Sequence, residues 1–234
     1  MINKENTLFG IVGLLLGLIV GFYFANSVNQ GAVVVSAAGS QQPASGNLPP
    51  GHPTVNGNST NGSMPETQAV IDKAKQNPTD FQAQLDAAEL YYQIQRFDGA
   101  IEFLKKANEL QPDNYEVIVQ LGNANFDADN YEVAEKWYAN ALEKKPNEAN
   151  VRTDYGLTFM FRDKPDYDRA ISEFSKVLVT DSKHEQALQN LTVAYTKKGD
   201  VARAKASLEK LSQASPSNSA IAKLTEDIGK INAK

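Results

Sequence analysis

Cysteine is absent, and histidine occurs only twice, at His52 and His184. A chain without cysteine has no disulfide, no thiolate zinc site, no c-type haem attachment and no cysteine nucleophile. Charge is also missing over a long stretch, for no Asp, Glu, Lys or Arg stands between Glu5 and Glu66. The rest of the chain carries nearly all of its 23 basic and 28 acidic side chains, with a net charge of −5. No run of Lys or Arg is dense enough to neutralise a line of phosphates, so nucleic acid is not expected as a partner. The sequence therefore divides into an uncharged leader and a charged body suited to water.

Within the leader, residues 8–25 (LFGIVGLLLGLIVGFYFA) are uncharged, with the Tyr23 hydroxyl as their one polar group. A helix rises about 1.5 Å per residue, so this stretch is roughly 27 Å long and matches the hydrocarbon thickness of a bilayer. We read it as a single transmembrane helix over 8–25, with the bilayer itself as a partner. The alternative, a cleaved secretory signal, usually has a shorter apolar core of about 7–15 residues. Its best cleavage site, Ser36-Ala37-Ala38, lies well beyond the apolar run. Lys4 precedes the run and no Lys or Arg follows until Lys73, which places residues 1–7 in the cytoplasm and the body on the other side. Gly13, Gly17 and Gly21 recur every four residues on one helix face. They allow close approach of a second copy, a homodimer, although glycine is common in membrane helices without that role. Residues 26–63 are rich in Ser, Asn, Gly, Gln and Pro, too polar to repay the entropy of folding, and are expected to form a disordered linker. His52 lies in this linker and receives no role.

The body repeats. Ala88, Gly122, Gly156 and Thr192 stand at steps of 34, 34 and 36, and Ala100, Ala134, Ala170 and Ala204 at steps of 34, 36 and 34. Bulky positions keep the same register: Phe97, Tyr131, Tyr167 and Val201, then Leu104, Tyr138, Phe174 and Leu208. Pro112, Pro146 and Pro216 close successive units, because proline cannot continue a helix. Two small residues twelve apart in a unit of this length indicate two antiparallel helices, with small side chains where their backbones come closest. The third unit has two extra residues near Asp163-Lys164-Pro165-Asp166, expected to be absorbed in a solvent-facing turn.

These positions resemble the tetratricopeptide-repeat (TPR) family, in its membrane-anchored bacterial type. The resemblance implies an all-α solenoid of helical hairpins over 64–234. Its four repeats are expected at about 81–114, 115–148, 149–184 and 185–218, with capping helices at about 65–76 and 219–231. The N-terminal cap would open on a capping box from Ser63 to Glu66, and Ile221, Leu224, Ile228 and Ile231 would form the apolar stripe of the C-terminal one. Departures from the family pattern include Gln84, Ile118, Arg152 and Leu188 at its frequent Trp position, and Asn125 where an aromatic is usual.

The resemblance also implies a groove for a protein or peptide partner, lined by the first helix of each repeat. Carried over by position, its candidate residues are Tyr92, Val119, Asn123, Phe126, Thr153, Leu157, Met160, Phe161, Gln189 and Val193. Each has a competing reading as core between repeats. The family's carboxylate clamp needs a basic residue and Asn in one first helix, whereas the first repeat offers Leu85 and Glu89. No catalytic constellation, cofactor motif or metal site is found. His184 falls at an inter-repeat turn, and Asp127-Ala128-Asp129-Asn130 starts like a calcium loop but has Glu132 where glycine is needed. The expectation is a non-enzymatic adaptor at a bacterial inner membrane, with its repeats periplasmic or otherwise extracytoplasmic, serving envelope protein assembly. The rival readings are a holdase in c-type cytochrome maturation, whose TPR subunits also follow a short helix with an Asn77-Pro78-like entry, and a self-associating scaffold.

Overall fold

The computed structural model describes residues 64–232, and side chains from 67 to 231. The expected membrane helix, its Gly13, Gly17 and Gly21 face, the linker and the side chains of the capping box all lie outside the described residues. Residues 68–234 form one compact unit. The described helices are α1 (Met64–Gln76), α2 (Phe81–Gln93), α3 (Phe97–Leu110), α4 (Tyr115–Asp127) and α5 (Tyr131–Lys144). They continue with α6 (Ala149–Phe161), α7 (Tyr167–Thr180), α8 (Glu185–Lys198), α9 (Val201–Ala214) and α10 (Ala220–Asn232). No strand occurs among the described residues, and none of their helices is long and apolar enough to cross a membrane.

Local sequence sets several of the helix starts. Asp80, Asn114, Asp166 and Asp200 each accept a bond from the backbone N–H three residues on, satisfying donors that the first helical turn leaves open. His184 does the same at the start of α8, where its Nδ1 accepts from the Ala187 N–H at 3.2 Å. At its inter-repeat turn this histidine is thus half-buried and caps a helix.

Helices pair as α2/α3, α4/α5, α6/α7 and α8/α9, and each hairpin also packs on the next. The same kind of hydrogen bond closes every hairpin, from the N–H of the residue before the second helix to a carbonyl near the end of the first: Arg96 to Tyr91, Asn130 to Asn125, Asp166 to Phe159 and Asp200 to Tyr195. The extra residues of the third repeat thus lengthen the turn without opening the hairpin. In the three regular turns one residue takes a left-handed conformation, Gln95 at φ 58°, Asp129 at 59° and Gly199 at 79°.

Gly122 and Gly156 do not serve the purpose the sequence reading gave them. A Cβ added to Gly122 would lie 2.5 Å from the Tyr138 ring, and one added to Gly156 would lie 2.5 Å from the Phe174 ring. These glycines make room for an aromatic side chain of the second helix rather than for a helix backbone. Both rings are almost wholly buried, at 1% and 0% exposure. Where the partner position is Leu104 or Leu208, the first helix carries the larger Ala88 or Thr192.

The departures at the family's Trp position also find physical reasons. Gln84 is fully buried, and its amide donates to the Ala74 carbonyl at 2.8 Å and the Asn77 carbonyl at 3.2 Å, at the end of α1. Arg152 donates to the Pro146 carbonyl and pairs with Glu173. Both polar side chains satisfy carbonyls where a preceding helix ends, while Ile118 and Leu188 are simply core. Asn125 turns its amide onto its own helix, donating to the Leu121 carbonyl at 2.7 Å. At the ends of the stack, α1 buries Ile71 and Ala74, and α10 buries Leu224 and Ile228. The outer side of α10 carries Lys223, Glu226, Asp227 and Lys230 in ion pairs, as a terminal helix facing water requires.

Candidate functional face

The first helices lie side by side. The Tyr92 hydroxyl of α2 donates to Asp127 Oδ2 of α4, and the Phe126 ring of α4 meets the Phe161 ring of α6 edge-on at 5.8 Å. Tyr131 completes an aromatic triad, 5.2 Å from Phe126 and 5.9 Å from Phe161. A continuous face therefore runs across the repeats, built from helices whose opposite sides are locked into the hairpins.

Ten residues were expected to line it, and the structure sorts them. Tyr92, Val119, Phe126, Phe161, Gln189 and Val193 are partly exposed. Asn123, Thr153, Leu157 and Met160 are buried, at 7%, 1%, 4% and 9% exposure. The two polar ones spend their groups internally. Asn123 Oδ1 accepts from the buried Tyr138 hydroxyl at 2.9 Å, and Thr153 Oγ1 donates to the Ala149 carbonyl at 2.8 Å. Leu157 and Met160 belong to the core shared by α6, α7 and α8. Gln189 is partly spent as well, for its Oε1 accepts from Asn218 at 3.1 Å next to the terminal helix. What this face offers a partner is centred on Tyr92, Val119, Phe126 and Phe161, with Val193 further along.

Two acidic residues bear on this face as well: Asp127, which the sequence reading met as the start of a calcium-like loop, and Asp154, which it did not single out. Burial, with a contribution from Asp129, pushes the Asp127 carboxyl up to about 6, although the Tyr92 hydroxyl opposes the shift. Burial pushes Asp154 up to about 7, and the negative charge of Asp127 adds to it. The Tyr92 hydroxyl is raised in turn, by its own burial first and then by Asp127 and Asp154. Two other carboxylates of low exposure, Glu135 and Glu173, do have cations. Glu135 is held by Arg162 at 2.9 Å and Arg169 at 3.1 Å, and Glu173 by Arg152 at 2.8 Å and Lys176 at 2.5 Å. Among the described residues, neither Asp127 nor Asp154 has such a partner.

A family model described as tetratricopeptide repeat matches residues 95–153 and 163–228, and a second of the same description matches 68–115. The chain belongs to the tetratricopeptide-repeat family. The break between the two matched TPR stretches covers residues 154–162, most of α6 and the first residue of the lengthened turn. Among solved structures, a crystal structure of MamA protein is 25% identical, with a TM-score of 0.57 over 64% of this chain and 80% of that one. YrrB, described as a TPR protein with an unusual peptide-binding site, is 19% identical, with a TM-score of 0.61 over 69% of this chain and 82% of its own. A MamA from Desulfovibrio magneticus RS-1 is 15% identical, with a TM-score of 0.59 over 66% and 86%. The last two are alike in fold alone. No match is found among curated proteins.

The TPR face is a surface rather than an enclosed cavity. Clefts of about 420 and 280 Å³ lie elsewhere, one against Leu178, Leu188 and Lys210, the other against Arg152, Lys176 and Val179. Among the described residues, no group of three or more His, Asp or Glu is placed to hold a metal ion.

Proposed function

We propose that this TPR protein is a membrane-tethered adaptor that holds a peptide or helix of a partner protein against its first helices, in envelope protein assembly. One observation carries the reading: the partly exposed Tyr92, Val119, Phe126 and Phe161 lie on a continuous face of adjoining first helices rather than scattered over the surface. Exposed aromatic and aliphatic anchors on rigid helices are the usual source of affinity at such surfaces. The printed description of YrrB, a fold relative with a peptide-binding site, agrees with this use of the fold. The tether rests on the apolar run at 8–25, and the extracytoplasmic placement on Lys4 against an uncharged flank.

The test is crosslinking in membranes followed by isolation of the full chain, with Phe126→Ala and Phe161→Ala made singly and together. A partner captured by the wild type is expected to be lost from the double variant while the domain still folds, with melting measured in parallel. Undiminished capture of that partner by a folded double variant would overturn the assignment.

A further inference from the structure

The last two inter-repeat turns each leave a cleft beside the end of the following second helix. The first, of about 280 Å³, is lined by Pro146, Asn147, Arg152, Lys176 and Val179. The second, of about 420 Å³, is lined by Ser182, Lys183, Lys210, Gln213, Leu178 and Ala214. In the repeat register Ser182 stands for Pro146, Lys183 for Asn147, Lys210 for Lys176, Leu188 for Arg152 and Ser207 for Glu173.

At the first cleft the chain supplies a carboxylate of its own. Glu173 holds Lys176 at 2.5 Å and Arg152 at 2.8 Å, so the bases there are satisfied within the chain. At the second the carboxylate is gone, the lysine is kept and Lys183 adds another ammonium. Ser207, in the place of the acid, is buried, and its hydroxyl accepts from Thr192 and donates to carbonyls of its own helix. Among the described residues neither Lys183 nor Lys210 forms an ion pair. The acids nearest in sequence are engaged otherwise. Asp181 accepts from the Lys183 backbone N–H, Glu185 from the Asn218 amide and Glu209 from the Gln213 amide. No acid lines the cleft itself. The second helices α3, α5, α7 and α9 carry as many acids as bases, so they present no broad cationic field to an anionic lipid surface.

We propose that the second cleft is a further docking point, taking a glutamate or aspartate side chain of a partner protein on Lys183 and Lys210, with an aliphatic neighbour against Leu178 and Ala214. Charge complementarity selects this occupant, and Glu173 on Lys176 shows within the same molecule what a lysine at this position holds. The cleft shares no residue with the first-helix face. An adaptor with both sites joins two protein segments.

The probes are three fluorescently labelled peptides of four Ala-Leu-X units, with X glutamate, glutamine or lysine, titrated by anisotropy against the full chain in a neutral detergent. The glutamate peptide is expected to bind, the glutamine peptide more weakly and the lysine peptide not at all. Lys183→Gln and Lys210→Gln should each weaken the glutamate peptide about two- to fivefold, the worth of one partly solvated ion pair, and their effects should multiply. Gln213→Glu, which sets a carboxylate in the cleft three residues from Lys210, should weaken it as well. Lys105→Gln with Lys136→Gln removes as much charge from exposed positions of α3 and α5 and should change nothing, as should Phe126→Ala with Phe161→Ala. The proposal is overturned if the glutamine peptide binds as well as the glutamate peptide, or if the glutamate peptide fails to bind. It is overturned equally if the Lys183→Gln, Lys210→Gln double variant loses no more than the Lys105, Lys136 control. Displacement of the peptide by acetate at matched carboxylate concentration, or by phosphatidylglycerol vesicles, would give the cleft to small anions or lipid and overturn it too. Loss of the glutamate peptide from the Phe126→Ala, Phe161→Ala variant alone would move it to the first-helix face, so that this proposal falls while the adaptor reading stands.

Discussion

A methyl group added at Gly156 would stand 2.5 Å from Phe174 Cε1, 2.9 Å from Cδ1 and 3.0 Å from Cζ. Carbon atoms in contact normally keep about 3.5–4.0 Å. The ring has no exposed side to swing toward, since Phe174 is 0% exposed and α8 packs behind it. Overpacking of this kind costs about 1–3 kcal/mol, while replacing an interior helical glycine by alanine returns up to about 1 kcal/mol. Gly156→Ala is therefore expected to lose about 1–2 kcal/mol, or about 2–8 °C in Tm for a domain of this size. Gly156→Leu should lose about 2–4 kcal/mol. Gly229→Ala is the control, because a Cβ there meets nothing within 4 Å, and it should raise stability slightly. Thermal melting of residues 64–234 followed by circular dichroism reads all three. Phe174→Leu added to Gly156→Ala should recover much of the loss, recreating the pairing of Ala88 with Leu104 in the first repeat. A Gly156→Ala domain as stable as its parent, or a Gly156→Ala, Phe174→Leu double variant less stable than Gly156→Ala alone, would refute the reasoning.

Other expectations follow from particular residues. Residues 64–234 should form a soluble, almost wholly helical domain, and circular dichroism with substantial strand content would contradict the repeat stack. Gln95→Gly and Asp129→Gly should each stabilise by roughly 0.5–1 kcal/mol in urea melts, because left-handed backbone costs other residues about 1–2 kcal/mol. Burial holds His184 below its ordinary value, so the unfolded chain takes up its proton more readily. Its contribution is complete above about 6.5 and is lost as pH falls through that value, and His184→Asn should flatten the loss. Asp154 has the opposite sign. With its carboxyl raised from 3.8 to about 7, the folded chain holds the proton more tightly, so stability falls as pH rises between those values. Asp154→Asn should remove that slope and stabilise the domain above pH 7, measured by melting across the range.

The repeat architecture was legible because a hairpin has to place small and large side chains at fixed steps. The series through Gly122 and Ala134 located each helix, and Asp80, Asn114 and Asp200 marked helix starts by their chemistry. The partner of each glycine was not legible. The register aligns Gly156 with Phe174 eighteen residues on, but only the packing shows that ring, not backbone, fills the space. Burial along the face was only half readable as well. Phe126 and Phe161 are partly open, whereas Leu157, Met160 and Thr153 on the same helical stripe are closed off where α6 meets α8. Asp154 escaped notice because Asp127, which bears on its carboxyl, stands 27 residues away at an unequal position of the preceding repeat.

The central claim is that partners bind on the first-helix face, and photocrosslinking from defined positions in membranes tests it most directly. A photoreactive residue replaces Val119, partly exposed on α4, or Val179, which is 85% exposed on α7. The account expects a discrete protein adduct from position 119, diminished by Phe126→Ala with Phe161→Ala, and none from position 179. Adducts from position 179 alone would contradict it.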